Sequence, residues 1–303
     1  MSDCIGNSSP LFLVGGYVRN RLLKLPATDI DLCSALKVEN LQQSLAGSEF
    51  SVKVSNKKLN TAKIFCENEV FEYSTFREES YAKAGKHLPT HVSFDTSIVQ
   101  DAKRRDFTIN CIYYSFEKKK VIDFYGGVAD LQRRLIRTIE TPEEVLSKDG
   151  DRILRLAKLV AELGFDVEKK TFDTAKKYVS NISKQSGKIK FRELSKIMSA
   201  PAKYKKTADL EKAILVLDCL NAWQHLFCGE LANIHPMHKN IDQTLKHTNI
   251  YAFATDLQKA TNNTKMEESK FFAYFLNSLG ISETDAEFKT EMKNFENYMK
   301  KGV

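Results

Sequence analysis

The sequence predicts an α+β fold, in which a head of mixed strands and helices precedes an all-helical remainder. Up to about residue 138, short runs rich in Val, Ile, Phe and Tyr alternate with polar turns, as strands do. Beyond that point apolar residues recur at the i, i+3, i+4 spacing of helices. The length of 303 residues suits about two domains. We expect a head over residues 1–138, a helical neck over 139–200, and a helical body and tail over 201–303.

The head begins with a buried strand, Leu11–Val14, that runs directly into Gly15 and Gly16. A helix is predicted from Tyr17 to about Leu25, because Pro26 cannot continue it. The other predicted strands of the head are Asp29–Leu32, Thr61–Cys66, Val70–Thr75, Ile109–Ser115 and Val121–Phe124. Lys118–Lys120 is expected at a hairpin tip.

Two helix starts mark the second part of the chain. Thr141 can cap a helix that begins with Pro142 and carries Glu144 at its third position. The next helix is predicted over Asp151–Phe165, with Gly164 as its end signal. It is strongly amphipathic, with an apolar face formed by Ile153, Leu156, Ala157, Val160 and Leu163.

The composition is that of an ordinary globular protein, with 42% hydrophobic and 28% charged residues. No apolar run approaches the ~20 residues of a membrane span. The six cysteines form no C-x-x-C pair, which disfavours a zinc site. Because no secretory signal is readable at the N-terminus, we expect reduced thiols and a cytoplasmic location.

Positive charge is concentrated in the second half of the chain. Residues 1–150 contain 21 Lys and Arg against 20 Asp and Glu, whereas residues 151–303 contain 25 against 19. The excess would attract a polyanion such as RNA. A solvated lysine-rich surface explains it equally well.

A glycine pair followed by two acidic residues is the first motif with chemical meaning. Gly15 and Gly16 separate a strand from a helix, where backbone amides can approach an anion, and Arg19 lies one turn into that helix. Asp29 and Asp31 are two residues apart on a predicted strand, so their carboxylates face the same side. Such oxygen ligands suit Mg²⁺ bound to a nucleoside triphosphate. The combination favours nucleotidyl transfer over an unrelated turn and solvated edge.

Two further motifs of the head carry groups suited to nucleotides. In Lys103–Asn110, a basic cluster enters a strand, and Asp106 beside Arg105 can hydrogen-bond a ribose hydroxyl. A surface charge cluster is the simpler explanation of this motif. Asp123–Leu131 contains a second glycine pair, which suits either a hinge or a plain tight turn.

The fourth motif begins just before the predicted amphipathic helix and continues along it. Asp149 and Arg152 are one turn apart and can offer an acceptor and a donor to the Watson–Crick edge of a free base. Arg155 and Lys158 continue along the polar arc opposite the apolar face. A solvated polar face is the simpler alternative.

The motifs of this chain resemble, in the same order, those of class II tRNA nucleotidyltransferases. They are V-G-G-x-V-R, L-P-x-x-D-I-D-L, R-R-D-F-T-I-N, D-F-Y-G-G-V-A-D-L and D-x-x-R-I-L-R. This group comprises CCA-adding enzymes and bacterial poly(A) polymerases, within the polymerase-β-like nucleotidyltransferases. The resemblance covers about residues 11–165, and Thr75–Phe94 is similar to the family's flexible loop. It implies a five-stranded catalytic head, then a helical neck, body and tail. It also implies that Asp29 and Asp31 bind catalytic Mg²⁺.

The resemblance implies roles for the other residues of the head. Gly16 and Arg19 would hold the triphosphate of CTP or ATP. Arg105 and Asp106 match the motif that senses the ribose. One departure from the family pattern is Asn20, where relatives usually have Asp.

On the helical side, Asp149 and Arg152 match the protein template that pairs with the incoming base. Arg155 and Lys158 fall on two further nucleotide-contacting positions, although an Arg is usual at the second. Lys148 stands where relatives have a Glu that helps to orient the templating arginine. Base selectivity looser than in relatives is therefore expected.

A weaker similarity concerns the region from His235, His238 and His247 onward, which resembles the HD phosphohydrolase-like part of some relatives. Asn277 and Ser278 stand where its His-Asp pair is expected, and they cannot hold a dinuclear metal site. This predicts a metal-free helical remnant, and unrelated surface histidines fit as well.

The leading hypothesis is a template-independent RNA nucleotidyltransferase that adds or repairs the 3′-terminal CCA of tRNA, using CTP, ATP and Mg²⁺. A poly(A) polymerase or a partial CC- or A-adding enzyme fits the same motifs. Asn20 and Lys148 leave open a catalytically impaired RNA-binding homologue. A nucleotidyltransferase acting on a small molecule or a protein is disfavoured by the basic second half.

Overall fold

The computed structural model describes residues 1, 9–80, 89–233, 249–261 and 263–301. The chain forms two compact units, the first comprising the described residues up to Thr141 and the second those from Pro142 on. The first unit combines a sheet with helices, whereas the second is almost wholly helical, so the predicted α+β fold is confirmed. The division of the helical part at residue 200 stays a prediction.

The first unit is built on one mixed sheet. Its strands are β1 (Phe12–Val14), β2 (Ile30–Ser34), β3 (Ser51–Asn56), β4 (Thr61–Cys66), β5 (Glu69–Thr75), β6 (Glu78–Ser80), β7 (His91–Ser93), β8 (Ile112–Ser115), β9 (Lys120–Asp123) and β10 (Leu135–Ile136). Seven of them form the sheet in the order β3-β4-β5-β2-β1-β8-β9, and β6 pairs separately with β7. Only β2 and β5 run parallel within the sheet. The expectation of five strands is wrong, because the sheet has seven; the strand that the sequence did not predict is β3, which pairs with β4 at one edge.

One predicted strand is replaced in part by a turn. The sequence predicts a single strand over Ile109–Ser115, but Thr108–Asn110 is a short 3₁₀ helix and the strand begins at Ile112. The backbone amide of Thr108 donates to the carbonyl of Arg137, and its hydroxyl donates to Asp130. These distant partners hold Thr108 at the start of the 3₁₀ helix, so Ile109 and Asn110 lie in that helix and not in the strand.

The helices of the first unit are α1 (Gly16–Leu22), α2 (Val38–Ser44), α3 (Ile98–Lys103) and α4 (Gly127–Arg133). Helix α1 ends about three residues earlier than predicted, because Lys24 takes a left-handed conformation with φ 57°. The amide of Leu25 then donates to the carbonyl of Asn20 and closes the helix. Helix α2 shares a core with the sheet, formed by Leu11, Leu32, Val38, Leu41, Leu45, Ala62, Ile64 and Tyr73.

The helices of the second unit are α5 (Pro142–Leu146), α6 (Asp151–Leu163), α7 (Lys169–Lys177), α8 (Gly187–Lys203), α9 (Leu210–Cys219), α10 (Trp223–Leu226), α11 (Ile250–Ala260), α12 (Glu268–Leu279) and α13 (Ala286–Lys300). Short 3₁₀ helices cover Val179–Lys184 and Gly229–Asn233, and a two-residue strand, β11, covers Asp166–Val167. None of the helices described is long and apolar enough to cross a membrane.

Helix α6 is the centre of the second unit, where it packs against α8 and α9. Its predicted start and its end at Gly164, with φ 63°, are confirmed. Eleven of its 13 residues are buried, including Asp151, Arg152 and Glu162. The alternative of a solvated polar face is therefore wrong.

The proposed HD-like region is described only at its end. His235, His238 and His247 lie outside the described residues. Asn277 and Ser278 are part of α12, where the buried hydroxyl of Ser278 donates to the carbonyl of Phe275 at 2.7 Å. The prediction of a remnant stays a prediction.

Candidate nucleotide site

The antiparallel pairing of β1 and β2 brings the glycine turn to a carboxylate. Val14 lies opposite Asp31 in this pair, and Gly15 follows Val14 with a φ of 79° and a ψ of −148°. A Cβ atom added at Gly15 would lie 3.0 Å from Asp31 Oδ2. Glycine is needed here for the backbone conformation and for the close approach of the carboxylate.

Asp29 and Asp31 lie together at the start of β2, but they are not both in the strand as predicted. The strand begins at Ile30, where pairing with Phe71 of β5 starts, so Asp29 immediately precedes it. Asp29 is exposed and Asp31 is half-buried. Two accessible carboxylates fit Mg²⁺, which commonly takes one or two carboxylates and completes its shell with water and substrate phosphates. Within the described residues, no cluster of three or more His, Cys, Asp and Glu could hold a metal.

Arg19 is buried beneath the glycine turn and its guanidinium is fixed by hydrogen bonds. Its Nη1 donates to Asn110 Oδ1 at 2.8 Å and its Nε to Asn20 Oδ1 at 2.9 Å. Its Nη2 lies 3.7 Å from the Cβ position of Gly16. A fixed positive charge therefore lies directly behind the turn, where it favours an anion. Sequence reasoning gave Asn110 no role, although it ends the second motif.

Asn20, the departure from the family pattern, is accommodated by the structure. Its Oδ1 accepts from Arg19, as a carboxylate would, and its Nδ2 donates to the carbonyl of Pro26 at 2.7 Å. An ionised Asp has no proton to donate to that carbonyl. The asparagine thus ties Arg19 to the loop that leads into β2.

Arg105 belongs to a buried network centred on Asp101, a residue that sequence reasoning missed. The guanidinium of Arg105 donates to Asp101 Oδ2 at 3.2 Å and to the hydroxyl of Tyr113 at 2.8 Å. Arg104 donates to Asp101 Oδ1 at 2.8 Å. Burial alone would raise the pKa of Asp101, but the two guanidinium groups lower it to about 2. The alternative of a surface charge cluster is wrong for Arg104 and Arg105, whose side chains are about 15% exposed.

Two other acidic residues of the head hold turns. Asp106 is buried, and its Oδ1 accepts from the amide of Phe107 at 2.8 Å. Asp123 accepts from the amides of Tyr125, Gly127 and Val128, and so caps the start of α4. The second glycine pair is therefore a tight, hydrogen-bonded turn, and the structure gives no support for a hinge there.

The second unit holds the predicted base-template residues at the start of α6. Asp149 is buried, and its Oδ1 accepts from the amide of Asp151 at 2.9 Å. Arg152 is also buried, and its Nη1 donates to the carbonyl of Val145 at 3.2 Å. The amide of Arg152 donates to the carbonyl of Asp149 at 3.2 Å, so one turn of backbone separates the two residues. Although Lys148 replaces the Glu that is usual in relatives, the guanidinium of Arg152 is held by the Val145 carbonyl.

Lys158 and Arg155 lie within a charge cluster between α6 and α8. Lys158 Nζ is 3.6 Å from Glu193 Oε2, and this glutamate is 2% exposed. Burial would raise the pKa of Glu193, but Lys158 and Lys196 lower it to about 2. Burial and Glu193 raise the pKa of Asp151, against the lowering effect of Arg155. Glu193 was missed because it lies 35 residues beyond Lys158 and shares no motif with it.

The mixed sheet with its glycine turn and paired carboxylates, followed by helices, defines the class of protein: a nucleotidyltransferase head joined to a helical body. Residues 11–137 match the family model described as the Poly A polymerase head domain. The CCA-adding enzyme of Streptococcus thermophilus is 33% identical over 215 residues, which are 71% of this chain and 50% of the relative. The chain spans about half the length of the curated relatives it matches.

Two solved structures show the same fold. The Bacillus stearothermophilus CCA-adding enzyme in complex with CTP matches with a TM-score of 0.73 at 22% identity, over 91% of this chain and 64% of that one. The Thermotoga maritima CCA-adding enzyme complexed with tRNA-CCA matches with a TM-score of 0.63 at 23% identity, over 97% and 63%. Residues 11–137 therefore match the poly(A) polymerase head family, and the chain is similar in sequence to CCA-adding enzymes over about 71% of its length. The relationship predicted from the motifs is confirmed.

Proposed function

We propose that this chain is a template-independent RNA nucleotidyltransferase that adds or repairs the 3′-terminal CCA of tRNA from CTP and ATP. The observation that carries the proposal is the close approach of Gly15 to the carboxylate of Asp31, with the guanidinium of Arg19 held behind the turn. The similarity to CCA-adding enzymes supports addition of CCA over addition of poly(A), CC or a single A by the same chemistry. The basic excess of residues 151–303 suits an RNA substrate.

In the head, the proposed chemistry is attack of the tRNA 3′-hydroxyl on the α-phosphorus of the nucleotide, with loss of pyrophosphate. Asp29 and Asp31 would hold Mg²⁺, which when bound favours ionisation of the hydroxyl and offsets charge on the phosphates. The amides of the Gly15–Gly16 turn and the charge of Arg19 would bind and orient the triphosphate. Arg105 and Asp106 are proposed to act at the ribose. Since both are anchored inside the head, they would do so from fixed positions.

In the second unit, Asp149 and Arg152 are proposed to select the base. A carboxylate accepts from an exocyclic amino group, which cytosine and adenine both have, and a guanidinium donates to the neighbouring ring nitrogen or carbonyl. Uracil and guanine present a carbonyl oxygen to the carboxylate instead. Burial of Asp149 and Arg152 strengthens this discrimination, because an unmatched acceptor there is not compensated by water.

Arg155 and Lys158 are proposed to assist the base-selecting pair from the next turns of α6. The ion pair with Glu193, at 3.6 Å, holds the ammonium group of Lys158 beside α8. The hydrogen bonds of Asn20 to Arg19 and Pro26 favour an active enzyme over an impaired RNA-binding homologue.

From the cysteine pattern alone, we propose that the reaction takes place in the cytoplasm.

The test is incubation with tRNA that ends at the discriminator base, with CTP and ATP supplied separately and together. We expect addition of C residues with CTP alone and of CCA with both nucleotides. An open-ended A tail with ATP alone would indicate a poly(A) polymerase instead. Binding of tRNA without extension by any nucleotide would favour the RNA-binding homologue.

A further inference from the structure

The segment that carries Asp149 lies directly against a 3₁₀ helix of the second unit. This segment, residues 147–150, joins α5 to α6. A Cβ atom added at Gly150 would lie 2.3 Å from the carbonyl oxygen of Asn181 and 2.7 Å from the amide nitrogen of Ile182. No side chain fits at position 150. The backbone next to Asp149 is therefore in direct contact with the backbone of Val179–Lys184.

The side chain of Asn181 binds the same segment at a second point. Asn181 is buried, and its Nδ2 donates to the carbonyl of Ser147 at 3.1 Å. Its Oδ1 accepts from Lys184 Nζ at 2.9 Å. Because an ammonium group only donates, the Lys184 contact assigns the oxygen and nitrogen of the amide. The donor of Asn181 is thus directed to the segment.

The positions of Asp149 and Arg152 both depend on this stretch of backbone. Asp149 lies between Ser147, which Asn181 binds, and Gly150, which contacts the Asn181 backbone. The guanidinium of Arg152 is bonded to the carbonyl of Val145, the residue two positions before Ser147. A shift of the segment would move the acceptor and the donor of the pair together.

We infer that Asn181 is a positioning residue for base selection: by binding the carbonyl of Ser147 it fixes Asp149 and Arg152 relative to the incoming base. The inference rests on the proposed function, in which these two residues pair with CTP or ATP. Asn181 does not need to touch the nucleotide. Its contribution is to the accuracy with which the pair is placed, so it should affect the choice of nucleotide more than the rate of phosphoryl transfer.

The experiment compares wild type with Asn181→Ala and Asn181→Asp in single-turnover incorporation of CTP, ATP, UTP and GTP onto tRNA lacking CCA. The Asp variant keeps the size of the side chain and the Lys184 contact but loses the donor to Ser147. We expect the preference for CTP over UTP to fall about three- to tenfold in both variants, as for the loss of one buried hydrogen bond. The rate with saturating CTP should change less than this preference.

Ser180→Ala, on the exposed side of the same 3₁₀ helix, is the matched control and should keep the wild-type preference. Circular dichroism and the Tm of each variant separate loss of positioning from loss of folding. Unchanged preference in folded Asn181→Asp, or equal slowing of all four nucleotides, would overturn the inference and leave the proposed function intact. Absence of incorporation by wild type would overturn both.

Discussion

Replacing Gly15 with Ala tests whether the turn between β1 and α1 needs a glycine. With φ 79° and ψ −148°, Gly15 occupies a region that is essentially restricted to glycine, and a residue with a Cβ pays about 1–3 kcal/mol there. The new Cβ would also lie 3.0 Å from Asp31 Oδ2, so the carboxylate or the turn must shift. A displacement of about 1 Å at a reacting group costs about a hundredfold in rate.

We therefore expect Gly15→Ala to lower Tm by about 2–4 °C for each kcal/mol of backbone strain that the substitution introduces. We also expect nucleotide incorporation to fall by about ten- to a hundredfold. Gly47→Ala is the matched control. Gly47 also has a positive φ, 75°, but its added Cβ has nothing within 4 Å. The Gly47→Ala variant should therefore be less stable than wild type and should keep the wild-type activity. The assays are thermal unfolding and single-turnover extension of tRNA. If Gly15→Ala keeps wild-type activity, the approach of the turn to Asp31 is not required for the reaction.

Three further predictions concern carboxylates. Asp31→Asn should abolish incorporation with little change in Tm, since the group is half-buried and is proposed to bind Mg²⁺; substantial residual activity would contradict this role. Asp149→Ala should relax the rejection of UTP and GTP, measured by single-turnover competition, and an unchanged ranking of the four nucleotides would refute the template assignment. Asp101→Asn should destabilise the head by about 3–5 kcal/mol, because Arg104 and Arg105 lose a buried partner. Because its folded-state pKa is lowered from 3.8 to about 2, Asp101 contributes stability above about pH 4 that is lost as the pH falls towards 2. Acid unfolding monitored by fluorescence should therefore depend less on pH over this interval in Asp101→Asn.

The sequence alone determined the features that depend on neighbouring residues. The strand Phe12–Val14 followed by a glycine turn and helix was predicted because apolar, glycine and helix-forming residues succeed one another directly. The same holds for α6, whose apolar spacing and terminal Gly164 indicate both its face and its end. Asp149 and Arg152 were placed one turn apart for the same reason.

Features that depend on distant partners were decided by the tertiary structure. The strand predicted from Ile109 begins only at Ile112, because Asp130 and Arg137 hold Thr108 at the start of a 3₁₀ helix. The polar face of α6 is buried because α8 brings Glu193 to Lys158. The spacing of apolar residues distinguishes the apolar face of a helix from its polar face, but it does not show which other element packs against the polar face.

The candidate site also combines features that the sequence determines with features that only the tertiary structure determines. Spacing in the sequence identified Asp29 and Asp31, whereas the antiparallel register of β1 and β2 brought Asp31 against Gly15. The partners that hold the functional side chains lie far away in the sequence: Asn110 is 91 residues from Arg19, and Asn181 is 34 residues from Ser147. Hydrogen bonds over such separations arise only when the chain is folded, because packing of whole elements determines which donor meets which acceptor.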